Sequence, residues 1–159
     1  MLNSDATLRM YLQYYEREIS LSRIMAKAYM EASAKIVEPV EVLEVYVKPE
    51  DGKAYYVANS KFECHVNLWD SKKDISWREK DELSADISLA PAQYERKLIF
   101  EYRGHQCDCK NIINRCVEKF LNIFSAKQLE EVEIYLKVED GAAYYVINGK
   151  YTGSVPLEM

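Results

Sequence analysis

The stretch PEDGKAYYVAN at residues 49–59 returns as VEDGAAYYVIN at residues 138–148, and a chain that states one supersecondary unit twice folds that unit twice. At an offset of 135 − 46 = 89, Val45–Leu68 and Ile134–Leu157 are identical at Tyr46, Lys48, Glu50, Asp51, Gly52, Ala54, Tyr55, Tyr56, Val57, Asn59, Lys61, Val66 and Leu68, which is 13 of 24 positions. Upstream the offset is 102 − 14 = 88, and LQYYEREISLSRIMAKAYME faces FEYRGHQCDCKNIINRCVEK with Tyr14 over Tyr102 and Ile24 over Ile112. One inserted residue before the strong block accounts for the change.

Each copy reads strand, strand, helix, then strands again. Leu8, Met10, Leu12 and Tyr14 alternate along the chain, as do Leu98, Phe100 and Tyr102, the period of a half-buried strand. A tight turn is expected at Glu16-Arg17 and at Arg103-Gly104. Ser20 and Asp108 then stand as N-caps, because each carries an oxygen able to accept from an orphan backbone N–H of the first helical turn. Leu21, Ile24, Met25, Ala28 and Ala32 form one apolar stripe, and Cys109, Ile112, Ile113, Cys116, Val117 and Phe120 form the other. Strands are expected at Val42–Lys48 and Lys53–Ala58, with a last strand toward Leu68; the turns between them are Pro49–Gly52 and Asn59-Ser60, and Asn148-Gly149 is a strong hairpin signal in the second copy.

The resulting expectation is an α+β protein of tandem duplicated ββαββ(β) repeats, antiparallel sheets each with one helix on one face, in a pseudo-twofold arrangement. Residues 1–69 form the first repeat, 70–93 a charged linker and 94–159 the second. Trp69 and Trp77 flank that linker and are read as pinning it. A copy of about 65 residues is marginal alone, since a domain of that size buries only about 60% of its unfolded surface. The copies are therefore expected to share a core. If Lys48 pairs with Lys53, Tyr46 stands opposite Tyr55 and Val45 opposite Tyr56. The helix then takes the face of Val45, Val47, Ala54 and Tyr56. The other face carries Tyr46, Tyr55 and Val57, repeated as Tyr135, Tyr144 and Val146, with Tyr11 and Ile99 added by the first strands. These six residues, Tyr46, Tyr55, Val57, Tyr135, Tyr144 and Val146, are the candidate interface. They are expected to pack between the repeats or against a second chain, because a patch this aromatic usually marks an interface or ligand surface.

Charge narrows the function classes. The formal net charge is −5, and the three segments carry 8 basic against 10 acidic, 4 against 6, and 9 against 10 residues, so no segment supplies the lysine and arginine surplus that phosphate binding requires. Nucleic acid is an unfavoured partner. No run of eighteen apolar residues and no leader pattern appears, which points to a soluble cytoplasmic protein without membrane attachment. Cys64, Cys107, Cys109 and Cys116 fall one in the first copy and three in the second, a distribution that fits reduced thiols better than a duplicated disulfide framework.

Candidate chemistry is sparse. Glu50-Asp51 and Glu139-Asp140 have no third ligand at metal spacing and read as turn residues, with glycine supplying positive φ. GHQCDCK, residues 104–110, together with Cys64-His65, is the one cluster of metal-type side chains. His-x-Cys-x-Cys fits no strong zinc spacing, and Cys109 and Cys116 lie on the apolar helix stripe. A role for Cys107, Cys109 and His105 beyond packing is left open. Gly-rich phosphate loops and nucleophile elbows are absent from the sequence. No cofactor, metal or catalytic residue is assigned, and the protein is expected not to be an enzyme. The 13 tyrosines against 4 phenylalanines favour a protein-interaction or self-association module with a protein partner or a homo-oligomer. Single-stranded nucleic-acid binding through tyrosine-bearing sheet faces is the second reading.

Tyr46, Lys48, Pro49, Glu50, Tyr55, Tyr56, Val57 and Asn59, with Tyr135, Lys137, Glu139, Tyr144, Tyr145, Val146, Asn148 and Gly149, carry a resemblance. The pattern Y-x-K-P-E leading to Y-Y-V-x-N resembles a family of small uncharacterised bacterial domains of unknown function from anaerobic Gram-positive bacteria, here in tandem duplicate. Val138 departs from it in place of proline, and Ser60 in place of glycine. The resemblance implies a bacterial cytoplasmic protein and nothing about its activity.

Overall fold

A computed structural model of the chain describes residues 7–69, 95–124 and 128–157. The linker at 70–93, apart from its flanking Trp69, and Trp77 lie outside the described residues. In chain order the elements are β1 (Thr7–Tyr14), β2 (Arg17–Ser20), α1 (Leu21–Lys35), β3 (Val42–Lys48), β4 (Lys53–Ala58) and β5 (Phe62–Asn67), then β6 (Glu95–Tyr102), β7 (His105–Asp108), α2 (Cys109–Ile123), β8 (Glu131–Lys137), β9 (Ala142–Ile147) and β10 (Tyr151–Pro156). Both N-caps form as their side chains require: Ser20 accepts from the Arg23 N–H and Asp108 from the Lys110 N–H. Both apolar stripes are buried as spaced, residue for residue.

The copies do not close on themselves. One five-stranded sheet runs β10-β9-β8-β1-β2 and the other β5-β4-β3-β6-β7, so each is built from three strands of one copy and the first hairpin of the other. The joins are parallel pairs, β1 on β8 with Leu8 opposite Val132, and β3 on β6 with Val45 opposite Leu98. Every other pairing is antiparallel. The sheets are therefore mixed where the sequence suggested antiparallel ones. Hairpin turns are written locally, whereas a join between residues so far apart in the chain leaves no local mark.

Each helix spans both sheets. α1 contacts β1 and β2 of one and β3, β4 and β5 of the other, and α2 contacts β9 and β10 of one and β6 and β7 of the other. Leu8, Met10, Leu12, Leu43, Val45, Val47, Val132, Ile134, Leu136 and both helix stripes fall in one buried cluster. The two copies share a core through their helix-covered faces. Within the chain, the expected packing of the tyrosine-bearing faces on each other is thus replaced by its reverse: the helix-covered faces meet, with Tyr56 and Tyr145 buried among their aliphatic residues, and Tyr46, Tyr55, Tyr135 and Tyr144 turn outward. Val, Leu and Ala make up most of the inner faces and bring no polar atoms to satisfy, whereas a buried phenol needs a partner, as Tyr56 has in Glu31.

The turns follow backbone rules. Pro49–Asp51 and Val138–Asp140 are single 3-10 turns closed by Gly52 at φ 68° and Gly141 at φ 64°, the left-handed region that glycine enters without Cβ strain. The first hairpin turns one residue earlier than expected, at Tyr15-Glu16, with Tyr15 at φ 57° matching Arg103 at φ 52°. Asn59 and Asn148 take φ 54° and 55°, and their side chains do more than turn. Asn59 Oδ1 accepts from the Glu41 and Val42 N–H groups at 2.7 and 3.1 Å, and its Nδ2 donates to the Pro39 carbonyl at 3.0 Å. Asn148 repeats the set on Glu130, Glu131 and Gln128 at 2.8, 3.1 and 2.7 Å.

Candidate interaction faces

Register builds the aromatic rows. Across one sheet Tyr11, Tyr135 and Tyr144 stand in line, and across the other Ile99, Tyr46 and Tyr55 stand in line with His65 at the edge. Both predicted cross-strand pairs are present, Tyr46 opposite Tyr55 and Tyr135 opposite Tyr144. Tyr11 stacks on Tyr135 with ring centroids 5.2 Å apart and planes at 15°. Tyr55 meets His65 at 5.8 Å. Tyr46, Tyr55 and Tyr135 are half-buried and Tyr144 is 40% exposed, so part of each ring remains open to solvent.

Carboxylates hold the phenols in place. Asp51 Oδ2 accepts from the Tyr55 hydroxyl at 2.8 Å and Asp140 Oδ2 from Tyr144 at 2.7 Å. Glu44 accepts from Tyr46 at 3.3 Å and Glu133 from Tyr135 at 3.5 Å. These bonds push the Tyr55 and Tyr144 phenols up, because an anion accepting from the hydroxyl favours the protonated form. Tyr46 and Tyr135 are pushed up first by burial and then by Glu44 and Glu133. The acidic turn therefore does the same work in both copies: it reverses the chain and fixes the ring that follows four residues later.

Charge around the rows is mixed. Lys48, Lys53 and Lys97 share a face with Glu44, Glu63 and Glu101 by strand alternation, and Arg9 pairs with Glu133 at 3.6 Å on the other. Val57 and Val146 sit on the same outer faces as the tyrosines, two residues along. The structure brings Tyr46, Tyr55 and Val57 together on one sheet, and Tyr135, Tyr144 and Val146 on the other; it does not bring the two groups together. Tyr11 gains a place beside Tyr135 that strand alternation suggested but only the β1–β8 join fixes.

The cysteine and histidine residues separate. His105 and Cys107 line one cleft of about 180 Å³ with Tyr102, Glu139 and Leu157, where the Cys107 thiol donates to the Leu157 carbonyl at 2.7 Å. Its pseudo-symmetric counterpart, about 500 Å³, lies between Tyr14–Arg17 and Pro49–Gly52 beside Trp69. Cys109 and Cys116 are fully buried in the core. Cys64 lies on β5, on the far edge of that sheet from β7. No group of three metal-binding side chains occurs among the described residues, no helix among them is long and apolar enough to cross a membrane, and none of the four cysteines is in a disulfide.

Fold and faces together define an internally duplicated α+β protein whose two copies complete one another's sheets and turn aromatic rows outward. Residues 3–68 and 71–157 each match the family of unknown function DUF6465, and the chain belongs to that family in tandem duplicate. No curated protein and no solved structure matches it.

Proposed function

We propose that the protein is a non-enzymatic bacterial cytoplasmic interaction module that self-associates through its outer sheet faces, a second copy of the chain being the partner. One observation carries the reading: each aromatic row is bordered by charges of both signs, with Lys48, Lys53 and Lys97 set among Glu44, Glu63 and Glu101 on one face. A face of balanced sign is complementary to itself when turned by a twofold, and half-buried tyrosines lose little rotamer entropy on docking. Four cysteines outside any disulfide fit a reducing compartment. Sedimentation equilibrium tests it: the weight-average mass should rise above 18.6 kDa with concentration, and Tyr46→Ser with Tyr135→Ser should shift that rise to higher concentration. A wild-type chain that stays at its single-chain mass throughout overturns the reading.

Single-stranded nucleic acid is the second reading, favoured by the ring platform of Tyr46, Tyr55 and His65. The glutamates on the same face oppose it, since phosphate binding gains from released counterions only where cations dominate. Anisotropy of a labelled oligothymidine across a salt series separates the two: salt-sensitive binding lost in Tyr46→Ser supports it, and unchanged anisotropy removes it.

A further inference from the structure

Away from both outer faces, Cys64 stands in a cluster that the second copy lacks. Lys35 Nζ donates to the Cys64 sulfur at 3.0 Å and lies 3.6 Å from Glu31 Oε1, which accepts from the Tyr56 hydroxyl at 2.6 Å. Burial pushes the Glu31 carboxyl up, but the Tyr56 bond, the Lys35 charge and a hydrogen bond from the Cys64 thiol outweigh it and hold it below the usual range, so the Cys64 sulfur faces the Glu31 carboxylate as well as the Lys35 amine. Contact with the Cys64 sulfur and the Glu31 charge holds the Lys35 amine above its usual range. These side chains border an open cavity of about 260 Å³ walled by Ala32, Ile36, Tyr56 and Phe62.

The duplication supplies an internal control. At the equivalent positions the second copy has Lys119 for Glu31 (31 + 88), Ile123 for Lys35 (35 + 88) and Gly153 for Cys64 (64 + 89), while Tyr145 matches Tyr56. There the Tyr145 hydroxyl lies where a side chain at 153 would begin. The fold is thus built once with the cluster and once without it, so packing alone does not account for the glutamate, lysine and cysteine. The other thiols are placed differently: Cys109 and Cys116 are sealed in the core, burial pushing Cys116 up to about 12 and Cys109 higher, and Cys107 is bonded to the Leu157 carbonyl.

We propose that Cys64 is a thiol–disulfide exchange site for small disulfides, with Lys35 as its positioning residue and the adjacent cavity holding the attached group. Reactive cysteines sit in partly exposed settings beside a cation, because the thiolate is the nucleophile. The Cys64 sulfur attacks one sulfur of a disulfide RSSR; the new S–S bond forms as the old one breaks, and the departing RS⁻ takes up the proton that Cys64 released, leaving RSH. Cys64 is oxidised and the departing sulfur reduced, with no other reactant.

The reduced full-length chain, treated with hydroxyethyl disulfide and mapped by peptide mass over time, tests this. Cys64 should be modified at least about tenfold faster than Cys107, with Cys109 and Cys116 untouched; Lys35→Met should slow Cys64 about tenfold and leave Cys107 unchanged, while Lys35→Arg keeps the rate. Untouched Cys109 and Cys116 in the same digest report an intact core, and Lys35→Arg carries the test if Lys35→Met exposes them. Cys107 reacting as fast as Cys64, or a Cys64 rate indifferent to Lys35→Met in an intact core, overturns the assignment, as does a slowed Lys35→Arg.

Discussion

Tyr11 and Tyr135, from different copies, lie stacked at 5.2 Å across the parallel join of β1 and β8. Their contact reports on the seam between the copies. An aromatic pair contributes about 0.5–1.5 kcal/mol beyond its area, so Tyr11→Ala and Tyr135→Ala, combined in a double-mutant cycle, should show a coupling of that size. Urea denaturation measures it, and strictly additive losses would remove the stack from the account.

Strand exchange makes the halves interdependent. Three strands of one copy leave one edge, β8 or β3, unpaired without the hairpin of the other. A protease site engineered into residues 70–93 and cut in the folded chain should leave both pieces co-eluting at the mass of the whole. Separation of the pieces on cutting, without denaturant, contradicts the exchanged topology.

Asn59 and Asn148 each make three hydrogen bonds from a left-handed backbone. A net bond contributes about 0.5–1.5 kcal/mol, and a non-glycine residue such as alanine pays a further 1–2 kcal/mol or so in that region. Asn59→Ala should therefore cost about 2.5–6.5 kcal/mol, and Asn59→Gly less, by denaturant titration. An equal cost for the two would assign the effect to the side chain alone.

Gly153 is required by Tyr145, whose hydroxyl end occupies the space a Cβ would need. Gly153→Ala should cost about 1–3 kcal/mol, the range for overpacking a core, whereas Cys64→Ala, at the equivalent position, should cost less than about 1 kcal/mol because Tyr56 there leans to Glu31. Equal losses from the two would show that Tyr145 moves aside.

Alkali should weaken the fold. Burial pushes the Tyr56 phenol up, with the Glu31 bond adding to it, and burial then Cys116 push Tyr145 up. A tyrosine whose folded value is raised holds its proton above pH of about 10 while the unfolded chain releases it, so the stability it contributes is full below about pH 10 and is lost as pH rises beyond. The melting temperature should fall above that pH, and less steeply in Tyr145→Phe. A wild-type melting temperature flat to pH 11 or so would contradict it.

Much of this architecture was legible because its determinants are local. Alternation placed Tyr46 opposite Tyr55, the Ser20 and Asp108 oxygens marked helix starts, and Gly52 and Gly141 marked turns. What could not be read was which strand lies beside which across the copies: β1 on β8 is chosen by burial of whole faces, and Leu8 fits Val132 no better by pattern than it fits Leu43. The outward turn of the tyrosines follows from that choice. The triple bonding of Asn59 was half visible, since Asn59 and Asn148 are identical while Ser60 and Gly149 are not, a sign that the first turn residue carries more than its backbone angle.

The reciprocal hairpin exchange has a consequence for how such a chain can change. A chain with one copy would need a second chain to finish its sheets, and every substitution would then appear twice, on both sides of the twofold. Once two copies are fused, the second partner is always present at high effective concentration, and each half is free to vary alone. Cys64 where the second copy has Gly153, and Lys35 where it has Ile123, are differences that only a fused pair can hold.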